Sequence, residues 1–135
     1  MPEREVEVVR VRKGPVPDTP ERFAGVLITG SAASLVEPPG WLRPLHNFVE
    51  KALYQDLPIL GVCFGHQLLA EVCVGPGTVC RRTHAEVGWK EVQFSSNDGL
   101  WQAFPDTFNV FVSHEDEVRS DSTSLEVVAR TEECS

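Results

Sequence analysis

One short stretch constrains the fold of this chain more than any other: a cysteine with a glycine two positions away on each side, Gly61-Val62-Cys63-Phe64-Gly65. The apolar run 58–62 before the cysteine is typical of a buried strand, and residues 65–71 after it favour a helix. A sharp turn between a strand and a helix requires small residues where the two elements pack closely. The sequence therefore predicts an α/β unit that presents Cys63 at a tight bend, with Gly61 and Gly65 as its structural glycines.

The rest of the hydrophobic pattern predicts strands and helices in the first half and mainly strands in the second. The run 24–29 is apolar and β-branched, as in a central strand buried on both faces of a parallel sheet. Apolar residues recur at helical spacing over 41–53, which predicts an amphipathic helix. Further strands are predicted at 5–12, 87–94, 108–112 and 125–129, with loops at 95–99 and 115–123. We expect an α/β fold with a mostly parallel sheet and a strand-rich C-terminal half.

Length and charge narrow the classes of function. The 135 residues suffice for one core but not for two, so residues 1–135 are expected to be a single domain. A formal net charge of -8 argues against a phosphate-binding surface, and nucleic acid is not an expected partner. No apolar run approaches the roughly 20 residues that span a bilayer, and residues 1–12 do not resemble a signal peptide. We expect a cytoplasmic protein with no membrane partner and with reduced cysteines.

The position of Cys63 suits attack on a carbonyl group. The positive end of a helix dipole favours a thiolate, and the unpaired amides of the first helical turn can hold a developing oxyanion. The competing interpretation is that Cys63 is an inert buried cysteine and the glycines only make a tight turn.

Two other segments could complete a site beside the cysteine. Residues 28–34 place small side chains after a predicted strand, where a loop can offer backbone N–H groups. Residues 112–118 follow another predicted strand with a polar, charged cluster that could bind the ammonium and carboxylate groups of an amino acid. Taken singly, each could equally be an ordinary turn or a solvated loop.

Together and in this order, these segments resemble class I (triad-type) glutamine amidotransferases, particularly the GMP-synthase-like branch. The matching motifs are Thr29-Gly30-Ser31-x-x-Ser34, Gly61-Val62-Cys63-Phe64-Gly65-His66-Gln67, Glu86-Val87-Gly88-Trp89 and Ser113-His114-x-Asp116-x-Val118. The resemblance implies a flavodoxin-like open sheet with helices on both faces. It also implies that glutamine is the substrate and that the ammonia passes to a synthase domain or subunit.

The resemblance assigns roles to individual residues. Cys63 would be the nucleophile that forms a γ-glutamyl thioester, with Gln67 beside the bound glutamine. One arm of the oxyanion hole would be the N–H of Phe64, and the other the turn at Gly30 and Ser31. The α-amino and α-carboxylate groups of glutamine would be held by three consecutive residues, Ser113, His114 and Glu115. No metal or cofactor is expected, since the spacing of Cys73, Cys80 and His84 lacks the paired cysteines of structural zinc sites.

The family's general base is the histidine of a downstream His-Pro-Glu segment, which does not occur in this sequence. The family's first strand and helix also have no counterpart, so the chain resembles a domain trimmed at both ends. His66 and His114 are the histidines that could lie near the thiol, whereas His46 and His84 are expected on a helix face and in a loop. We therefore expect little or no glutaminase activity from these 135 residues.

Two alternative functions stay open. The chain could be a non-catalytic amidotransferase-like module or truncated pseudoenzyme that retains the bend around Cys63. It could also be a cysteine hydrolase that acts on γ-glutamyl conjugates rather than on free glutamine.

Overall fold

The computed structural model describes residues 5–95, 99–119 and 124–132. Its elements follow the order β1 (Val26–Ile28), α1 (Leu42–Tyr54), β2 (Ile59–Gly61), α2 (Phe64–Val74), β3 (Val79–Phe94), a 3-10 helix (Gly99–Ala103), β4 (Thr107–Val118) and β5 (Ala129–Arg130). The first half alternates strand and helix and the second half is mainly strand, which confirms the predicted α/β fold class.

The parallel pair of strands β1 and β2 carries the candidate site at its carboxyl edge. Ile28 lies opposite Gly61 in the register, and the N–H of Val62 donates to the carbonyl oxygen of Ile28 at 2.9 Å. Both strands end at the same edge, so the loop after β1 and the bend after β2 leave the sheet side by side.

A single apolar core joins the two helices to this pair of strands. Its buried members come from both helices, β1, the following loop and the start of β3: Ile28, Leu35, Leu42, Leu45, Val49, Phe64, Leu68 and Val79. Val49 and Leu68 are completely buried. Because α2 follows the bend directly, this packing fixes the helix whose first turn borders Cys63.

Strand β1 is not buried on both faces, so that prediction is wrong. Ile28 is 8% exposed and joins the core, whereas Leu27 is 61% exposed, and Leu60 on β2 is 56% exposed. Successive side chains of a strand point to opposite faces, and both described helices belong to the core on the Ile28 side. The apolar run alone did not distinguish one covered face from two.

Strands β3 and β4 form a long antiparallel ribbon with one interruption. Arg81 pairs with Asp116 and Glu86 pairs with His114, so five residue steps on β3 lie opposite two on β4. Such a bulge changes the direction in which neighbouring side chains point. Strand β5 extends the ribbon by pairing Ala129 with Phe94.

Several predicted boundaries in the ribbon half are corrected. Residues 115–118 lie within β4 rather than in a loop, and His84 lies within β3. Only Ala129 of the predicted strand 125–129 belongs to β5. The pairing of β3 with β4 continues through charged residues, so polarity did not mark the end of the strand. Of the two predicted loops, residues 96–98 and 120–123 lie outside the described residues.

The predicted strand at 5–12 is wrong. Residues 5–10 are irregular and residues 11–14 form a turn. The alternation of apolar and charged residues is broken between Val8 and Val9, and no described strand pairs with this segment. Within the described residues, no helix is long and apolar enough to cross a membrane.

Candidate active site

The backbone of Cys63 is strained in the way that the sequence predicts for a nucleophile at a bend. Its φ is 51° and its ψ is -108°, and the residue directly precedes the first residue of α2. A side chain other than glycine in this region costs about 1–3 kcal/mol and persists only where the surrounding structure imposes it. Cys63 is exposed, so the alternative of a cysteine sealed in the core is wrong.

The two flanking glycines impose this bend by close backbone contact. A Cβ on Gly61 would lie 2.4 Å from the backbone of Gly65, and a Cβ on Gly65 would lie 2.3 Å from the carbonyl oxygen of Ile28. Both distances are far below van der Waals contact and involve backbone atoms that cannot turn away. Any larger residue at either position would force the strand and helix apart and move Cys63.

The first turn of α2 leaves the amide that directly follows Cys63 without a partner in the helix. The N–H of Gly65 donates to the carbonyl of Val62 at 2.9 Å, and the N–H of Gln67 donates to that of Cys63 at 3.0 Å. The N–H of Phe64 is at the first helical position, where no intrahelical acceptor exists. Within the described chain it has no other backbone acceptor, so it is available to a ligand at Cys63.

The loop after β1 lies against the side chain of Cys63. A Cβ on Gly30 would lie 3.5 Å from the Cβ of Cys63. The hydroxyl of Ser31 accepts the N–H of Ala33 at 3.1 Å, which folds the loop back on itself. Gly30 and Cys63 therefore lie side by side at this edge, and the oxyanion-hole roles of Gly30, Ser31 and Phe64 stay predictions.

A charged cluster on the ribbon reaches across to this loop. We call it the ribbon cluster and define it as Arg81, Glu86, His114 and Asp116. The Nε of Arg81 lies 2.8 Å from Oδ1 of Asp116, and the hydroxyl of Ser34 donates to Oδ2 of the same carboxylate. An NH2 group of Arg81 also donates to the Ser34 hydroxyl at 3.2 Å. These contacts tie the loop after β1 to β4.

Gln67 connects α2 to the same strand. Its side chain is buried, and its Nε2 donates to the carbonyl oxygen of Asp116 at 2.9 Å. The predicted substrate residue Gln67 therefore lies one helical turn beyond Cys63 and is anchored to β4.

The three residues predicted to bind the α-amino and α-carboxylate groups of glutamine have different surroundings. Ser113 is exposed on β4 opposite Val87. The carboxylate of Glu115 pairs with Arg81 at 2.7 Å, and the ring of His114 lies between Glu86 and Asp116. Their roles toward glutamine stay predictions, because two of the three already contact other protein groups.

Sequence reasoning assigned no role to Arg81 or Glu86. Glu86 is 4% exposed and Asp116 is 6% exposed, so both carboxylates are buried. The available signal was a glutamate, Glu86, within a strand that alternates with apolar residues. A carboxylate buried in such a strand requires a cationic partner, so this position could have indicated an ion pair. The partner itself could not be read from the sequence, since the bulge sets which residues face each other.

None of the described histidines is paired with the thiol. In residues 5–95, 99–119 and 124–132, no hydrogen bond or ion pair joins Cys63 to a histidine ring. His66 is exposed overall, yet the protein around part of its ring desolvates it and lowers its pKa below the ordinary 6.5. His46 lies 3.7 Å from Glu50 on α1, and His84 is exposed on β3.

Cys63, Cys73 and Cys80 are free thiols, and Cys134 lies outside the described residues. Across those same three ranges, no group of three His, Cys, Asp or Glu side chains is arranged to hold a metal ion.

Residues 3–135 match the family model described as glutamine amidotransferase class-I. The chain belongs to the class-I glutamine amidotransferase family. The GMP-synthase-like resemblance is confirmed by relatives. The chain is 32% identical over 110 residues to a glutamine-hydrolyzing GMP synthase subunit of Picrophilus torridus, covering 82% of this chain and 56% of that protein. It is 37% identical over 111 residues to the corresponding GMP synthase subunit of Pyrococcus abyssi, covering 82% and 55%.

Solved structures of the amidotransferase family have the same fold. A crystal structure of a glutamine amido transferase from Methylobacillus flagellatus matches with a TM-score of 0.77 at 26% identity, over 91% of this chain and 49% of that one. The chain spans about half the length of the relatives it matches. These matches confirm the α/β, flavodoxin-like fold.

Proposed function

We propose that this domain hydrolyses the side-chain amide of glutamine through a thioester on Cys63 and supplies ammonia to a synthase. The observation that carries the proposal is the exposed Cys63 at a bend of positive φ, with the Phe64 amide next to it in the chain and the Gly30 loop against its Cβ. The relatives are glutamine-hydrolyzing subunits of GMP synthase, which supports a synthase as partner and a cytoplasmic setting.

The chemistry follows from these groups. The Cys63 thiolate attacks the amide carbon of glutamine, a C–S bond forms, and the carboxamide oxygen takes up negative charge. The N–H of Phe64 and the turn at Gly30 and Ser31 stabilise that charge. When the intermediate collapses, the C–N bond breaks, and the nitrogen takes up a proton and leaves as ammonia. Water then cleaves the γ-glutamyl thioester, which releases glutamate and restores the thiol.

Proton transfer is the step that the described residues support least. A histidine normally takes the thiol proton and passes it to the leaving nitrogen. No hydrogen bond or ion pair joins Cys63 to a histidine among the described residues. We therefore expect glutamate release from the purified 135-residue chain to be barely measurable, and a robust steady-state rate would contradict this expectation.

Substrate recognition is proposed to use Gln67 and the segment of Ser113, His114 and Glu115. The buried Gln67 amide and the charged strand beside it favour a zwitterionic amino acid over an apolar ligand. A γ-glutamyl conjugate has the same α-amino and α-carboxylate groups, so it is the competing substrate.

Covalent trapping separates these functions. The diazo-ketone analogue of glutamine, 6-diazo-5-oxo-L-norleucine, is incubated with the chain, and the adduct is located by peptide mass spectrometry. The proposed function predicts one adduct, on Cys63, that is blocked by free glutamine and lost in Cys63→Ser. Cys73→Ser is the matched control because Cys73 is also exposed, and this variant should label like the wild type.

Each alternative predicts a different result. A γ-glutamyl-conjugate hydrolase would be protected by γ-glutamyl peptides and not by glutamine. A non-catalytic module would give no adduct on Cys63, or would label Cys63 and Cys73 alike without protection.

A further inference from the structure

Two residues of the family-matching motifs have no role in the proposed chemistry: Ser34, four positions beyond Gly30, and Asp116 on β4. They lie 82 residues apart in the chain, and the hydroxyl of Ser34 donates to Oδ2 of Asp116. The Asp116 side chain is buried, so little water is available to replace this contact. Breaking it would leave a buried carboxylate oxygen without its donor, which is costly.

The hydroxyl of Ser34 is fully occupied by protein groups. Besides donating to Asp116, its oxygen accepts the N–H of Val36 at 3.0 Å and a guanidinium N–H of Arg81 at 3.2 Å. A serine hydroxyl has one hydrogen to donate and two lone pairs to accept with, so no site is left for a substrate. Ser34 is therefore suited to holding protein groups together rather than to binding glutamine.

The carboxylate that accepts from Ser34 is itself held by Arg81. The Nε of Arg81 lies 2.8 Å from Oδ1 of Asp116, and another nitrogen of the same guanidinium donates to Glu115 at 2.7 Å. A planar guanidinium fixes the angle between the groups it contacts. The Asp116 carboxylate is therefore a fixed point on the ribbon, supported from both β3 and β4.

The loop that Ser34 holds carries one predicted arm of the oxyanion hole, the turn at Gly30 and Ser31. Gly30 lies against Cys63, since a Cβ on Gly30 would be 3.5 Å from the Cβ of Cys63. The chain attaches this loop to β1 at one end, and the bond of Ser34 attaches it to β4 at the other. Leu35 also packs into the core, but apolar packing is non-directional, whereas a hydrogen bond fixes an orientation.

We propose that Ser34 is a positioning residue whose bond to Asp116 orients the turn at residues 30–31 toward the carbonyl oxygen of the substrate. The step it affects is the attack of the thiolate, because negative charge develops on the carboxamide oxygen in that step. The inference rests on the proposed function and adds a residue that acts through the loop rather than through contact with the substrate.

Asp116 also holds the predicted substrate residue Gln67, but through a different group. Its backbone carbonyl accepts the side-chain amide of Gln67 at 2.9 Å, whereas its carboxylate accepts the hydroxyl of Ser34. Replacing Ser34 removes only the second contact. Ser34→Ala should therefore lower the rate of reaction at Cys63 and leave the affinity for the amino acid unchanged.

Inactivation kinetics with 6-diazo-5-oxo-L-norleucine test this separation. In Ser34→Ala the limiting rate of Cys63 alkylation should fall about tenfold, less than the roughly hundredfold effect of losing an oxyanion donor, because the turn is displaced rather than removed. The half-saturating reagent concentration should stay within about twofold. Ser34→Thr keeps the hydroxyl and should restore the limiting rate to within about threefold of the wild type.

Ser95→Ala is the matched control for these kinetics. The hydroxyl of Ser95 also donates to a protein oxygen, the carbonyl of Val127, but this residue follows the far end of β3. Its loss should change neither the limiting rate nor the half-saturating concentration.

Hydrogen exchange of the Ala33 amide, followed by NMR, tests the structural step alone. This N–H is bonded to the hydroxyl of Ser31 and not to Ser34, so its exchange reports on the loop. Ser34→Ala should speed this exchange about fivefold, the equivalent of one hydrogen bond. The backbone N–H of Gln67, bonded to the carbonyl of Cys63, should exchange at the wild-type rate.

Each failure has its own signature. An unchanged limiting rate or an unchanged Ala33 exchange in Ser34→Ala would overturn the role of Ser34. A limiting rate that Ser34→Thr does not restore would also overturn it, since the hydroxyl would then not be responsible. If the wild type is not labelled on Cys63 at all, the proposed function fails, and the Ala33 exchange still decides whether Ser34 holds the loop.

Discussion

The bend around Cys63, which we call the elbow, and the ribbon cluster border the same site but are held together in different ways. The elbow depends on backbone contacts of Gly61 and Gly65, four residues apart in the chain. The ribbon cluster depends on ion pairs and hydrogen bonds between distant segments, such as Ser34 with Asp116, 82 residues apart. Steric fit therefore fixes Cys63, and electrostatic contacts fix the groups of the ribbon cluster. The two regions should respond differently to substitution.

The largest effect is expected where the elbow is most crowded. In Gly65→Ala the new methyl group would lie 2.3 Å from the carbonyl oxygen of Ile28, and neither backbone can move without opening the sheet. We expect a loss of about 3 kcal/mol or more in the free energy of unfolding, at the upper end for overpacking. Urea denaturation followed by circular dichroism measures it. Gly14→Ala, with nothing within 4 Å, is the control and should change stability by less than about 0.5 kcal/mol.

The ribbon cluster should respond according to burial. Asp116→Asn removes the negative charge of a buried carboxylate that pairs with Arg81. We expect the free energy of unfolding to fall by about 1–2 kcal/mol, and no more than that because Arg81 itself is partly solvated. Glu115→Gln removes a pair with the same Arg81 at a carboxylate that is 66% exposed, and should cost less than about 1 kcal/mol. Urea denaturation measures both variants. If Asp116→Asn and Glu115→Gln lower the free energy of unfolding equally, burial does not distinguish the two ion pairs.

Removing the backbone strain at Cys63 should stabilise the protein while abolishing labelling at this position. Cys63→Gly relieves the strained conformation at φ 51°. Glycine also raises the conformational entropy of the unfolded chain, which offsets part of this effect, so we expect the free energy of unfolding to rise by about 0.5–1 kcal/mol. Cys73→Gly, in the last turn of α2, should instead destabilise, by less than the roughly 1 kcal/mol that glycine costs in a helix interior. The midpoints of urea unfolding compare the two, and a destabilised Cys63→Gly would mean that the bend stores no strain.

The smallest effect concerns pH. The pKa of His66 is lowered by desolvation, so below about pH 6.5 the unfolded chain binds a proton that the folded chain does not. Stability from this group is therefore complete above pH 6.5 and declines as the pH falls toward the lowered folded value. His66→Gln should flatten this part of the curve of unfolding free energy against pH. A curve that keeps its full slope in His66→Gln would contradict this prediction.

The same contrast explains what could be predicted from the sequence. The elbow and the helix at 41–53 were predicted because each depends on neighbouring residues, and the structure has α1 at Leu42–Tyr54. The pairing of Glu86 with His114 was not predicted, because it depends on a bulge that the sequence does not reveal. The exposed face of Leu27 was missed for a similar reason, since an apolar run does not say which elements cover it.

The central claim is that the sulfur of Cys63 meets a carbonyl carbon whose oxygen lies among backbone amides. A crystal structure of the chain after reaction with 6-diazo-5-oxo-L-norleucine tests it most directly. We predict continuous density from Sγ of Cys63 to the reagent, with the ketone oxygen within hydrogen-bonding distance of the Phe64 N–H and directed toward Gly30 and Ser31. An adduct on another cysteine, or a ketone oxygen that points into solvent, would contradict the account.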